Sequence, residues 1–232
     1  LTKAASIHNQ GPYALDFDHS GWQEVDLPHD WVVALGYEAE ASHSHGYKRV
    51  GWAYPESSVG WYRRELVVDE QMRGRHLELR FDGIFRAADI WFNGFWLGHE
   101  ESGYTTHFYD VTDYVRYGER NVIAVRVDAS LEEGWFYEGA GIYRHAWLTA
   151  RSPLHIATYG TTLRTTPRGE VEVAVELCND SHKECRYTLQ HTILDSRGRV
   201  VARGKGGKAE PLSPRARGLN SSTLRVRDAA LW

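Results

Sequence analysis

Three kinds of side chain in this sequence could do chemistry: neighbouring carboxylates, histidines in a polar stretch, and two cysteines. Paired carboxylates can divide general-acid and general-base work when their side chains converge. Asp16 and Asp18 are two residues apart and share a face if the segment is extended. Glu100-Glu101 and Glu132-Glu133 are adjacent, so an extended backbone points their members to opposite faces. None of these pairs stands in a recognisable catalytic frame, and all read as solvated surface groups. No catalytic residue is assigned on this basis.

His43-Ser44-His45 lies in a polar stretch with no carboxylate or cysteine at ligand spacing, so it reads as a solvated loop and not as a metal site. Cys178 and Cys185 flank the turn-like Asn179-Asp180-Ser181-His182 and are too few for a disulfide framework. A cross-strand bridge is geometrically conceivable; two reduced thiols in a cytoplasmic protein are the preferred reading. Phosphate-cradling glycine loops, nucleophile elbows and Cys–His pairs are absent, and no cofactor is implied.

Nine tryptophans and thirteen tyrosines are unusual for 232 residues. Flat aromatic faces suit the C–H faces of sugar rings, but large sandwich cores also consume aromatics, so composition leans to the core. The 27 basic against 31 acidic residues give a net charge of -4, which leaves no basic excess for nucleic acid or an anionic membrane. No apolar run reaches membrane-spanning length. The first residues lack a charged start followed by an apolar run, which points to the cytoplasm; because the chain opens at Leu1, a leader removed upstream stays open.

The elements that must position any site are strands. His76 to Asp82 alternates apolar and polar, the period of a half-buried strand. Trp61 to Val68, Ala88 to Phe92, Phe95 to Leu97 and Asn121 to Val127 read the same way. Asn93-Gly94 supplies the two positive-φ positions that a two-residue hairpin demands. Val111 to Gly118 predicts one short helical turn, capped by Thr112 and ended by Gly118. No amphipathic helix follows any strand, so a barrel of strand–helix units does not fit.

Composition shifts near Ser152-Pro153, after which tryptophan is absent until Trp232. Glu170 to Leu177, Arg186 to Leu194, Arg199 to Arg203 and Thr223 to Arg227 predict short strands. Asp195 to Gly198 predicts a turn, and Gly204 to Arg217 a loop or edge. That pattern indicates an immunoglobulin-like sandwich. The expected organisation is all-β, with a first domain over 1–151 and a second over 152–232. The second has fewer residues than the roughly 100 of a complete sandwich and is expected to be truncated.

Several motifs, in order, resemble glycoside hydrolase family two, the group containing β-galactosidases, β-glucuronidases and β-mannosidases. They are Asp18 to Trp31, Gly60-Trp61-Tyr62-Arg63-Arg64, Phe81-Asp82-Gly83, Ala88 to Gly94, Gly98 to Tyr104, Asp110-Val111-Thr112, Asn121 to Val127 and Trp135 to Arg144. The resemblance implies a jelly-roll-like galactose-binding β-sandwich followed by the immunoglobulin-like domain. It also implies hydrolysis of O-glycosidic bonds with retention, which needs two carboxylates about 5–5.5 Å apart. In the family both acids lie on a catalytic barrel, so this chain is expected to be the non-catalytic front of a β-glycosidase, most simply a β-galactosidase. The implied partners are a β-galactoside or related carbohydrate and that barrel; a homo-oligomer is left open.

By the same resemblance the loop Leu131 to Tyr137 faces the active-site mouth. Trp135 would wall the sugar, with Tyr137 or Glu133 as hydrogen-bonding edges. Trp135 and Phe136 could equally plug a domain interface. Gly139 and Gly141 would permit a tight backbone path, and Asp30 would bond backbone beside a buried Trp31. In the loop Trp52 to Val59, Ser57 stands where the β-galactosidase branch carries a sugar-binding asparagine, which puts galactose specificity in question. A free-standing carbohydrate-binding module is the rival reading.

Overall fold

The computed structural model describes residues 11–131, 138–227 and 229. They fall into two compact units, one of the described residues up to 73 and from 77 to 150, the other of 74–76 and the described residues from 151 onward. The first contains two antiparallel sheets. One has the order β1 (Val59–Val67), β6 (Arg120–Asp128), β3 (Ala88–Phe92), β4 (Phe95–Glu100). The other has the order β5 (His107–Asp110), β2 (His76–Phe81), β7 (Ala146–Arg151). Period-two alternation sends Leu77, Leu79 and Phe81 of β2 and Ile90, Phe92, Val125 and Val127 of the other sheet into one core, which makes the unit a β-sandwich.

Asn93 and Gly94 take φ of 51° and 82°, as the β3–β4 hairpin requires. The turn expected over Val111 to Gly118 forms only over Thr112–Tyr114: Thr112 does not cap it, and Val115, not Gly118, follows its end. The Thr112 hydroxyl instead accepts the Leu77 amide at 2.9 Å and donates to the Asp110 carboxylate. Helices among the described residues are no longer than four residues, as in α1 (Pro55–Ser58) and the 3-10 turn Trp31–Ala34, and none is able to cross a membrane.

In the second unit β12 (Ala216–Arg225), β9 (Glu170–Asn179) and β8 (Leu154–Thr165) form one antiparallel sheet. The hairpin of β10 (Gln190–Leu194) and β11 (Val200–Lys205) supplies further strands. Val173, Val175, Leu177, Leu212 and Leu224 make its core. Two expectations shift here. The strand expected from Arg186 begins only at Gln190. The strand expected from Thr223 begins at Ala216, inside the predicted loop, because all ten β12 residues pair along β9. Ladder pairing overrides the weak strand preference of Gly218 and Asn220. Cys178 and Cys185 are unbridged, with Cys178 buried. Burial pushes the Cys178 thiol up.

Candidate functional site

Of the four residues expected to bind sugar, Glu133, Trp135 and Tyr137 lie outside the described residues, as do Glu132 and Phe136. The two stems of their loop, ending at Leu131 and starting at Glu138, are described. The departing stem continues β6. Asp128 accepts the Ser130 amide at 3.0 Å and pairs with Arg126 at 2.8 Å. Burial works to raise the Asp128 carboxyl, but Ser130 and Arg126 outweigh it and hold the group below the usual carboxylate range.

Ala129 donates its amide to the Ser58 carbonyl at 2.8 Å. Ser58 is fully buried, and its hydroxyl closes the preceding turn by donating to Tyr54 at 2.6 Å and accepting from Gly51 at 2.9 Å. Ser57, next to it on α1, is half-buried, and its carbonyl accepts the Trp31 indole N–H at 2.9 Å. The fourth candidate therefore borders the root of the loop that carries the other three.

The returning stem is clamped by the segment around Asp30. Asp30 Oδ1 accepts amides from Val32 at 2.9 Å and Ala140 at 3.0 Å, and the Trp31 amide donates to Ala140 at 3.1 Å. Asp30 thus bonds backbone as expected, whereas Trp31 is only partly buried. A side chain at Gly139 would strike the Asp30 carboxylate, and one at Gly141 the Tyr62 hydroxyl and the His29 carbonyl, with φ of +133° besides. The Tyr62 hydroxyl lies 2.7 Å from His29 Nδ1. Burial pushes that hydroxyl far above the usual phenol range, so it stays protonated. Beneath the stems Val32, Val50, Ala129 and Ala140 form a small separate core, so both ends of the loop rest on packed apolar side chains.

The solvated loop expected over His43-Ser44-His45 is corrected. Ser44 and His45 are buried, and only His43 is exposed. Glu138 donates its amide to the Ser44 carbonyl at 2.7 Å, and His45 Nδ1 lies 3.1 Å from the Glu138 carbonyl. Glu138 is itself buried, at 2% exposure. Sequence reading missed this anchor because its halves are far apart in the chain. The one signal was Glu138 inside the Trp135-to-Arg144 motif.

The other acids also sort. Asp16 and Asp18 are exposed. Glu100 is not a free surface acid: it accepts from the Tyr109 hydroxyl at 2.9 Å and pairs with His107 at 3.2 Å, while Glu101 pairs with His99 at 3.1 Å. Tyr13, Trp91 and Trp61 stack on one another, with ring centroids 5.2 and 5.3 Å apart along the series. That absorbs part of the aromatic surplus, while Trp52 stays 75% exposed.

Comparison with known proteins agrees with this architecture. Residues 15–152 match the model of the glycosyl hydrolases family 2 sugar binding domain. The chain is 35% identical over 200 residues to the β-galactosidase BoGH2A of Bacteroides ovatus, covering 84% of this chain and 23% of that one. It is 31% identical over 223 residues to a β-glucuronidase of Bacteroides fragilis, covering 90% of this chain and 30% of that one. A family 2 glycosyl hydrolase structure from Bacteroides cellulosilyticus superposes with a TM-score of 0.81 at 32% identity, over 95% of this chain and 30% of that one. The chain thus spans less than a third of these three relatives. It belongs to glycosyl hydrolase family 2, and residues 15–152 are its sugar-binding domain.

Proposed function

We propose that this chain is the non-catalytic front region of a retaining β-glycosidase acting on β-galactosides or a related β-glycoside. Its first domain shapes the substrate cleft and docks on a catalytic barrel carried by the same protein. The reading rests chiefly on the clamp around the 132–137 loop. Ser58 holds one stem; Asp30 and Ser44 hold the other. Loop ends fixed this way let side chains meet a ligand at small entropic cost.

In this reading Trp135 walls the sugar ring, Tyr137 and Glu133 offer hydrogen-bonding edges, and Ser57 borders the same rim. Relatives named β-galactosidase and β-glucuronidase both support a β-glycosidase. The test is steady-state kinetics of the complete gene product on nitrophenyl β-galactoside and β-glucuronide. Trp135→Ala should raise KM on the better substrate by about tenfold, the loss of roughly 1.4 kcal/mol of binding. An unchanged KM makes Trp135 an interface plug and removes it from the site.

The 75% exposure of Trp52 favours a second reading, a free-standing carbohydrate-binding module. Titration of the chain with galactose, glucuronate and their β-linked disaccharides, followed by tryptophan fluorescence, separates the two. Micromolar binding without the barrel supports the module; no binding supports the accessory role.

A further inference from the structure

The second unit holds a side-chain cluster that sugar binding does not use. His76, the first residue of β2, falls with the short 74–76 segment that belongs to that unit, while the rest of β2 belongs to the first; His155 is the second residue of β8, and Asp180 directly follows β9. Backbone geometry fixes the group. The Asp180 amide donates to the Pro153 carbonyl at 2.9 Å, and the next residue, Ser181, is held by the Asn179 side chain at 3.1 Å. His155 Nδ1 sits 3.0 Å from the Ser152 carbonyl.

The two imidazoles stack with centroids 4.6 Å apart and planes 30° from parallel. Both present Nδ1 to the same carboxylate oxygen, Asp180 Oδ2, at 2.9 Å from His76 and 3.8 Å from His155. Donor atoms of all three residues lie within 4.8 Å of one another. The imidazole side chains are 12% and 9% exposed and the carboxylate 34%, so the group is covered on one side and open on the other.

Two imidazoles and one carboxylate are a donor set for zinc, and tetrahedral bonds of ~2.0–2.2 Å place donors about 3.3–3.5 Å apart. From Asp180 Oδ2, His76 Nδ1 at 2.9 Å is slightly nearer than that value and His155 Nδ1 at 3.8 Å slightly farther, and ligation through His155 Nδ1 would require it to give up its hydrogen bond to the Ser152 carbonyl. Calcium and magnesium prefer oxygen donors throughout and fit the set poorly. We propose that His76, His155 and Asp180 form a zinc-class transition-metal site within the second unit, with water in the open fourth position. The ion would displace the protons that compete for the two ring nitrogens. It would also tie the 74–76 segment to the ends of β8 and β9. The proposal does not depend on which sugar, if any, the first unit handles.

Zinc competition against a chromophoric chelator, with the purified protein, tests this. Wild type should bind one equivalent tightly enough to compete, and zinc should raise its melting temperature. His155→Ala and Asp180→Ala should each weaken binding at least tenfold and lose the thermal shift; His191→Ala, a histidine outside the cluster, should keep both. Zinc absorption-edge spectroscopy on wild type guards against variants that fail to fold, with two imidazoles and one carboxylate in the inner shell expected. No competition by wild type, or binding that survives both cluster substitutions, overturns the site. So does an inner shell without histidine.

Discussion

Arg63 buries its guanidinium completely and uses it on main-chain carbonyls. Its terminal nitrogens donate to Pro12 at 2.9 Å, Ala14 at 2.8 Å and Leu15 at 3.0 Å. Arg63→Lys keeps the charge but loses the fork, so about 1–3 kcal/mol of stability should go. Hydrogen exchange of the amides at 11–15 should speed up accordingly; unchanged protection would mean the fork does not hold that segment. Gly141→Ala tests the clamp on the returning stem. Positive φ and the clash with Tyr62 and His29 together should cost about 3 kcal/mol or more in urea denaturation.

Asp128 brings in pH. Its folded carboxyl sits below the usual range, so its contribution is fully present above the unfolded value, about 3.9, and is lost as pH falls through the lower folded value. The melting-temperature gap between wild type and Asp128→Asn should therefore be open at about pH 7 and close as pH falls through the lowered folded value. A gap that does not move with pH would make the role of Asp128 steric. Residue types announced part of this scale: Asp30 beside Trp31, and the glycines of Gly139-Ala140-Gly141. The partners did not show, because Arg63, Glu138 and His45 meet groups distant in the chain.

Among elements, the β3–β4 hairpin was readable from Asn93-Gly94, since few residues tolerate positive φ in succession. Its buried wiring was not. Asn93 Oδ1 accepts the Val122 amide at 2.8 Å, and Nδ2 donates to Tyr114 and Asn121, each at 2.8 Å. Asn93→Gly preserves the turn and removes the wiring, so it should destabilise by about 2–4 kcal/mol. Asn93→Ala should cost more because alanine resists the φ of 51°. Equal losses in thermal or urea unfolding would show that turn geometry is not limiting. Strand β12 teaches the complementary lesson. Its Gly218-Leu219-Asn220-Ser221-Ser222 run has weak intrinsic preference, and only the β9 ladder makes it a strand.

At the scale of the whole molecule, the all-β class and the family were legible because alternation, turn residues and motif order point one way over the first 150 residues or so. The His76, His155 and Asp180 cluster was not, because three separate segments build it and none carries a metal-ligand spacing of its own. The central functional claim is that this chain gives form to a cleft whose reacting acids are supplied elsewhere in the protein. The most direct measurement is turnover of a chromogenic β-galactoside and β-glucuronide by the purified chain, beside the complete gene product. The expected result is hydrolysis by the complete product and none by the chain above an empty preparation. Sustained turnover by the chain itself would place the reacting carboxylates within these residues and contradict the claim.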